Sequence, residues 1–388
     1  MRGRSRTKAG FLFALTIAGL VVLAACALWL SDWNARRAEL APPIGDAAAP
    51  ASPVAGTPVA AAPAVVQAPA DPGPGPVQRL KDVIHPDTAP TTEADPPVAP
   101  DGVSWGHAKG LQHAADELHL KASAAIVTDA ATGRILFHKN ADAVLPIASL
   151  SKLMTALVLI EAKLPMDEAI RITEDDVDHE RHSRSRLRVG TVLTRDEALH
   201  LALMSSENRA AHALARTYPG GVEAFAAAMN RKARALGMMH THYVEPTGLS
   251  NRNQSTARDL ALLAAAAAKN PLIAQYSTTP EHDAALGRHL VRFNNSDRLV
   301  KSPRWAIHLQ KTGYIIEAGE CLIVNATMGA RNLILVLLDS ASPVSRIDDA
   351  ERIRHWATGE PYPPPRQGFI KRHLRNLRVH LRRRHHAA

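Results

Sequence analysis

A serine and a lysine three residues apart form the pattern with the clearest chemical meaning in this sequence. Ser149-Leu150-Ser151-Lys152 opens a run, residues 149–164, whose apolar spacing predicts a helix buried on nearly all sides. One helical turn places Ser149 and Lys152 on the same face. A desolvated lysine can be neutral enough to take the proton of a serine at a helix N-terminus, which indicates nucleophilic catalysis. Alone, the four residues also fit a serine N-cap followed by a surface lysine.

Two further short motifs follow in chain order. Ser206-Glu207-Asn208 lies at a predicted break between two helices, where serine and asparagine also serve as plain caps. Lys311-Thr312-Gly313 lies in a predicted strand, where glycine admits a ligand backbone and the other two side chains can hold a carboxylate. Each motif is weak by itself. Their order, on a helix start, an inter-helix loop and a strand, indicates one active site assembled from distant parts of the chain.

The elements around these motifs predict a sheet covered by helices. Residues 123–140 have the pattern of a hairpin around Ala130–Gly133, and further strands are predicted over residues 308–316, 321–328 and 333–338. Helices are predicted over residues 149–164, 195–203, 208–218, 221–237 and 256–269, with Pro165 ending the first and Thr194 and Ser255 as N-caps. Strands at both ends with helices between them favour an antiparallel sheet in an α+β arrangement.

The basic residues are concentrated at the two ends of the chain. The net charge is +9, yet residues 366–388 hold eight lysines or arginines and no acid, and residues 1–8 hold four more. A nucleic-acid-binding domain is therefore not indicated, because such a domain needs a basic face within its fold.

The N-terminus predicts export from the cytoplasm. Residues 9–30 form an apolar run about 33 Å long as a helix, enough to cross a bilayer core. The basic residues 1–8 should stay cytoplasmic, which places the rest of the chain outside the cytoplasm. Three alternatives remain open: an anchor retained in the membrane, a cleaved signal peptide, or a lipoprotein acylated at Cys26.

The remaining segments predict a tethered domain. Residues 31–104 are rich in alanine and proline, with 15 of the 27 prolines between Pro42 and Pro100, which is typical of a disordered spacer. Residues 105–360 form the predicted folded domain. In the tail, residues 361–388, apolar residues recur at helical spacing among arginines: Ile370, Leu374, Leu377 and Leu381. The tail is either an amphipathic helix on an anionic membrane or a disordered basic segment that contacts wall polymers.

The two cysteines, Cys26 and Cys321, exclude a disulfide scaffold, and Cys321 lies in a predicted strand as a small buried apolar residue.

The three motifs together resemble those of penicillin-binding proteins and serine β-lactamases. Four segments carry a closer resemblance to low-molecular-weight D-alanyl-D-alanine peptidases: PIASLSKLMTA, LMSSENRAAHALARTYPGG, YVEPTGLSNRNQSTARDLALL and KTGYIIEAGECLIV. Ser-Glu-Asn with EPTGLS is most similar to the D-alanyl-D-alanine endopeptidase, or penicillin-binding protein 7-like, branch. The resemblance covers residues 115–360 and implies the β-lactamase/DD-peptidase (transpeptidase-like) fold, an antiparallel sheet flanked by helices with an all-helical subdomain.

The resemblance also implies a role for each motif residue. Ser149 would be the acylated nucleophile and Lys152 its general base. Ser206 would relay a proton to the leaving amine, and Asn208 would hold Lys152 and the substrate amide. Lys311 and Thr312 would bind the terminal carboxylate of the substrate, and Gly313 would lie beside the ligand backbone. The backbone N–H groups of Ser149 and Tyr314 would form the oxyanion hole. The implied substrates are stem peptides and cross-links of peptidoglycan, the implied inhibitors are β-lactams, and no metal or other cofactor is implied.

Several alternatives differ in class. A carboxypeptidase that trims pentapeptide stems would share every motif with the endopeptidase and differ only in the leaving group. A non-catalytic peptidoglycan-binding protein would keep the fold, whereas a β-lactamase usually adds an E-x-x-L-N pattern that is not found between the second and third motifs. A metal-dependent hydrolase is disfavoured because His179-Glu180-Arg181-His182 is one residue short of H-E-x-x-H and His240-Thr241-His242 is isolated. These histidines are interpreted as surface residues.

Overall fold

The computed structural model describes residues 102–287 and 289–362. The predicted membrane run, the spacer and the tail beyond Tyr362 lie outside these residues. Eight α-helices occur in the described part: α1 (Trp105–Ala108), α2 (Ser151–Glu161), α3 (Arg195–Met204), α4 (Asn208–Arg216), α5 (Gly221–Ala235), α6 (Ala257–Ala267), α7 (Pro271–Thr278) and α8 (Pro343–Thr358).

Eleven strands occur in the same described ranges: β1 (Ala124–Asp129), β2 (Ile135–Lys139), β3 (Leu145–Pro146), β4 (Ala169–Arg171), β5 (Val192–Thr194), β6 (Gln254–Ser255), β7 (Glu281–Leu286), β8 (His289–Asn294), β9 (Ala306–Ile315), β10 (Gly319–Met328) and β11 (Arg331–Ser340). Five of them form the main sheet in the order β2-β1-β11-β10-β9, and every neighbouring pair is antiparallel. The predicted fold class is confirmed. Because β9 is the last strand in this order, it forms one edge of the sheet.

Both faces of the sheet are covered because its central strands are apolar on both sides. In β11, Ile334 and Val336 belong to a core shared with α2 and α6, whereas Leu335 and Leu337 belong to a core shared with α8. Alternate residues of a strand point to opposite faces, so this near-continuous apolar run is what a doubly covered strand requires. Residues 151–159 of α2 are all buried, as the all-round apolar pattern predicts.

Some predicted boundaries were wrong. Helix α2 ends at Glu161 rather than Leu164, because Lys163 adopts a left-handed backbone (φ +53°) before Pro165 is reached. Ser255 is not an N-cap: it pairs with Leu145 in the sheet formed by β3 and β6, and Thr256 caps α6 through its contact with the backbone N–H of Asp259. Helix α7, the β7–β8 hairpin and helix α8 were not predicted from the sequence.

Within residues 102–287 and 289–362, no helix is both long enough and apolar enough to cross a bilayer.

Candidate active site

Ser149 lies in a tight 3-10 turn, Ala148–Leu150, directly before α2; this segment is called the serine turn below. Ala148 has a positive φ of +47°, an uncommon conformation for a residue with a side chain. Two glycines make room for the turn. A Cβ on Gly248 would lie 1.9 Å from the carbonyl oxygen of Ala148, and one on Gly313 would lie 3.0 Å from the backbone nitrogen of Ser149. The third motif therefore packs directly against the serine turn.

Lys152 projects from the first turn of α2 and contacts three oxygen atoms. Its Nζ lies 2.8 Å from Ser149 Oγ, 2.7 Å from Asn208 Oδ1 and 2.5 Å from the carbonyl oxygen of Thr247. The amide and carbonyl oxygens only accept hydrogen bonds, so they take the two N–H donors of a neutral amine. The lone pair then faces the hydroxyl of Ser149, which is the geometry of a general base poised to accept a proton.

The electrostatic surroundings hold this amine near its neutral form. Lys152 is buried, and burial lowers its pKa to about 7; the carboxylates of Glu245 and Glu207 act in the opposite direction and limit the shift. A substantial fraction of the molecules therefore carries an uncharged Lys152 at neutral pH. A perturbed lysine in contact with a serine hydroxyl is the arrangement expected of an activated nucleophile.

The second motif forms the link between α3 and α4. Asn208 starts α4, binds Lys152 through Oδ1 and donates from Nδ2 to Ser183 Oγ at 3.1 Å. Ser206 adopts a left-handed backbone (φ +62°), and its side chain makes no hydrogen bond to another described residue. The structure therefore joins Asn208 to the Ser149–Lys152 pair directly, and brings Ser206 to the adjacent loop without a hydrogen bond to that pair.

The third motif lies on β9, at the free edge of the sheet. Lys311 is fully buried and donates to the carbonyl oxygen of Thr312 at 2.9 Å. Burial, followed by the positive charges of Lys152 and Arg346, lowers the pKa of Lys311. Thr312 donates to Ser296 Oγ at 2.7 Å. Tyr314 is 59% exposed near the end of the strand.

Several contributors have no signal in the motifs. The carboxylate of Glu245 accepts from the backbone N–H groups of Thr247 and Gly248, and this fixes the carbonyl oxygen that holds Lys152. The acid within the EPTG segment could have been suspected as a turn residue, because acidic side chains often accept from backbone N–H groups nearby. Ser296 comes from a loop 15 positions before Lys311, and no local pattern predicts that contact.

A loop of residues 178–187, called the arginine loop, connects the second motif to Leu249 and to Glu317, which follows β9. Asp178 shapes it by accepting from the backbone N–H groups of Arg181 and Ser183, and these hydrogen bonds lower the pKa of Asp178 against the opposing effect of burial. Arg181 donates to the carbonyl oxygen of Leu249 at 2.5 Å and to Glu317 Oε1 at 2.9 Å.

Two serines tie the arginine loop to the second motif. Ser183 accepts from Asn208, and Ser185 donates to Glu207 Oε2 at 2.7 Å. The segment that contains the predicted surface histidines, His179 and His182, is therefore also held to the second motif by hydrogen bonds. His179 and His182 themselves are exposed, and among the described residues no group of three His, Cys, Asp or Glu side chains has the arrangement of a metal site.

Comparison with known proteins agrees with this geometry. The chain is 48% identical over 240 residues to the D-alanyl-D-alanine endopeptidase of Pseudomonas aeruginosa, covering 61% of this chain and 77% of the relative. It is 42% identical over 254 residues to the D-alanyl-D-alanine endopeptidase of Escherichia coli, covering 65% and 82%. Among solved structures, penicillin-binding protein D2 of Listeria monocytogenes in its cefotaxime-bound form is similar with a TM-score of 0.57 and 28% identity, covering 63% of this chain and 99% of that chain.

The family profile described as D-alanyl-D-alanine carboxypeptidase matches residues 111–342, a range that contains the serine turn, the link between α3 and α4, and β9. The resemblance inferred from the sequence is confirmed. With its motif residues gathered around one serine, the chain belongs to peptidase family S11, the D-alanyl-D-alanine carboxypeptidase family.

Proposed function

We propose that this protein is a serine D-alanyl-D-alanine endopeptidase that hydrolyses peptide cross-links of peptidoglycan. The observation that carries the proposal is the 2.8 Å contact between Ser149 Oγ and a buried Lys152 whose pKa is about 7. A hydroxyl beside a half-neutral amine is activated for attack on an acyl carbon at physiological pH. The two relatives named endopeptidase favour a cross-link over a terminal D-alanine as the bond that is cut.

The acylation step follows from this contact. Ser149 Oγ bonds to the D-alanyl carbonyl carbon while its proton passes to Lys152 Nζ. The carbonyl oxygen becomes an oxyanion between the backbone N–H groups of Ser149 and Tyr314, which the approach of Gly313 to the serine turn supports. When the C–N bond breaks, the proton on Lys152 passes to the leaving amine, and the resemblance in the second motif supports the Ser206 hydroxyl, on the adjacent loop, as the relay. The product is an ester on Ser149.

Hydrolysis of that ester completes the cycle. A water molecule attacks the ester carbonyl while Lys152 takes one of its protons, and the proton then returns to Ser149 Oγ as the C–O bond breaks. Thr312 and the protonated form of Lys311 bind the carboxylate of the leaving half, and Asn208 holds both Lys152 and the substrate amide. A β-lactam enters by the same first step, so we expect it to acylate Ser149 and inhibit the enzyme.

The proposed place of action is the periplasm, with residues 9–30 holding the domain at the inner membrane. The apolar run and its basic flank support this, and N-terminal sequencing of the mature protein from membranes would test it. An N-terminus at Met1 or Arg2 is expected, whereas a new N-terminus within or after residues 24–30 would mean cleavage.

For the C-terminal tail, residues 361–388, we propose contact with anionic lipid or wall polymers. Sedimentation of the full chain with anionic vesicles or with purified wall polymer would test it.

The test of the enzymatic proposal is a digest with the full chain. Cross-linked muropeptide dimers should become monomers, Ser149→Ala should be inactive, and Ser302→Ala, a serine in the turn before β9, should retain activity. Chromatography with mass spectrometry identifies the products. Release of D-alanine from pentapeptides with dimers left intact would instead establish a carboxypeptidase. Covalent penicillin binding without turnover of either substrate would establish a non-catalytic binding protein.

A further inference from the structure

A cavity of about 540 Å³ opens at the end of the sheet, beside the active-site strand. Its volume lies within the range of about 300–1,000 Å³ typical of sites for small ligands. It begins where β9 leaves the third motif and extends to the end of β11 and to α1. The residues that line it include His107, Tyr314, Ile316, Ser340 and Ala341. None of the eight motif residues except Tyr314 lines it.

The direction of a bound substrate leads into this cavity. The outer edge of β9 has no partner strand in the described sheet, so an extended peptide can add to it. In the proposed function the leaving half lies towards Thr312 and the scissile carbonyl lies at Tyr314. The peptide then runs antiparallel to β9, and its acyl half passes Ile316, at about 3.3 Å per residue. The side chain of the residue before the D-alanine comes within reach of the cavity.

The polar atoms that line the cavity favour a hydrogen-bond donor as ligand. Ser340 is buried, and its hydroxyl has no partner among the described residues. His107 Nδ1 lies 3.1 Å from the carboxylate of Asp339, which also accepts from Ser123 Oγ at 2.7 Å. Because a carboxylate only accepts, Nδ1 carries the proton in this contact.

The charge around the cavity points the same way. Asp339 is buried behind His107, and no lysine or arginine is among the described residues that line the cavity. No lysine or arginine lines the described cavity to pair with an anionic ligand group, whereas an ammonium group would find a carboxylate close by and the unpartnered hydroxyl of Ser340 to donate to.

We propose that this cavity binds the side-chain amino group of the diamino acid that precedes the D-alanine in the acyl half of the substrate. The inference rests on the proposed function, because the direction of the peptide on β9 is taken from it. It adds a specificity: the enzyme prefers stems whose diamino acid carries a free terminal amine over stems in which that amine is absent or acylated.

The test compares two synthetic cross-linked dimers that differ in one residue of the acyl half, lysine in one and norleucine in the other. Norleucine keeps the straight chain and lacks the amine. The full chain should cleave the lysine dimer with a kcat/KM at least tenfold higher. The ratio of the two values within one protein preparation does not depend on the fraction that is folded.

Two variants probe the cavity itself. Ala341→Trp, which fills the cavity, and Ser340→Ala, which removes the unpartnered hydroxyl, should each reduce the lysine preference, the first to a ratio near one. Ala330→Trp is the matched control, because Ala330 is exposed in the turn between β10 and β11 at the opposite end of the sheet, and it should retain the ratio.

Equal cleavage of both dimers by the unaltered chain would overturn the cavity proposal and leave the endopeptidase intact. A preference that persists in Ala341→Trp would also overturn it. If neither dimer is cleaved while benzylpenicillin still acylates Ser149, the proposed endopeptidase function fails instead. These outcomes separate the two proposals.

Discussion

Acylation of Ser149 should depend on pH through the ionisation of Lys152. Its pKa is lowered to about 7 by burial, and only the neutral amine can accept the serine proton. The neutral fraction is about one half at pH 7, one tenth at pH 6 and one hundredth at pH 5. The second-order rate constant for acylation by benzylpenicillin should therefore rise about tenfold per pH unit between pH 5 and 6.5, then level off above pH 7.5.

A charge-removing substitution should move this profile in a known direction. Glu207 is buried, raises the pKa of Lys152, and accepts from Ser185 Oγ and the backbone N–H of Arg186. In Glu207→Gln, the amide oxygen can accept from that N–H while the amide nitrogen donates to the serine hydroxyl, so only the charge is lost. Because the lost negative charge of Glu207 raises the pKa of Lys152, the midpoint should fall, by an amount on the order of one pH unit.

Stopped-flow measurement with a fluorescent penicillin from pH 5 to 9 gives both profiles. The matched control is Glu223→Gln, an exposed acid in the first turn of α5, which should leave the midpoint near 7. A rate that is flat between pH 5 and 7 would refute Lys152 as the base. An unchanged or higher midpoint in Glu207→Gln would refute the electrostatic account.

Three further predictions concern the structures that support the site. Gly248→Ala should abolish penicillin labelling and lower the melting temperature, because the added Cβ would overlap a backbone oxygen of the serine turn. The control is Gly190→Ala, whose backbone is equally left-handed (φ +88°) but whose Cβ would have no atom nearby. It should reduce the free energy of unfolding by only about 1–2 kcal/mol and keep labelling. Arg181→Ala should slow acylation about tenfold, which corresponds to roughly 1.4 kcal/mol, because the arginine loop loses its hydrogen bonds to Leu249 and Glu317. Arg188→Ala, a change at an exposed residue just after the loop, should acylate at the rate of the unaltered chain. Leu153→Ala, fully buried in α2, should reduce the free energy of unfolding by about 2–5 kcal/mol in urea titration, and a change under 1 kcal/mol would contradict the packing described.

The elements that the sequence predicted well are those whose own residues determine them. The apolar residues of α2 and the two runs around Ala130–Gly133 carry the periods of a buried helix and a hairpin, and both elements are present. Errors arose where tertiary contacts decide. Ser255 looks like an N-cap, but pairing with Leu145 draws it into a strand and leaves capping to Thr256. Helix α8 was missed because its charged residues mask the few apolar ones, Ala350 and Ile353 among them, that pack on the sheet.

By itself, the sequence determined the chemical inventory: a serine and a lysine one helical turn apart, an asparagine after a helix break, and a lysine, threonine and glycine on a strand. Only the tertiary structure decided what these groups can do. Burial from every side sets the pKa of Lys152, and the carbonyl oxygen of Thr247, 95 residues away in the chain, completes its hydrogen bonds. Desolvation and long-range hydrogen bonding depend on which segments meet in space. A local pattern can name the groups that react, whereas their protonation and alignment are properties of the assembled fold.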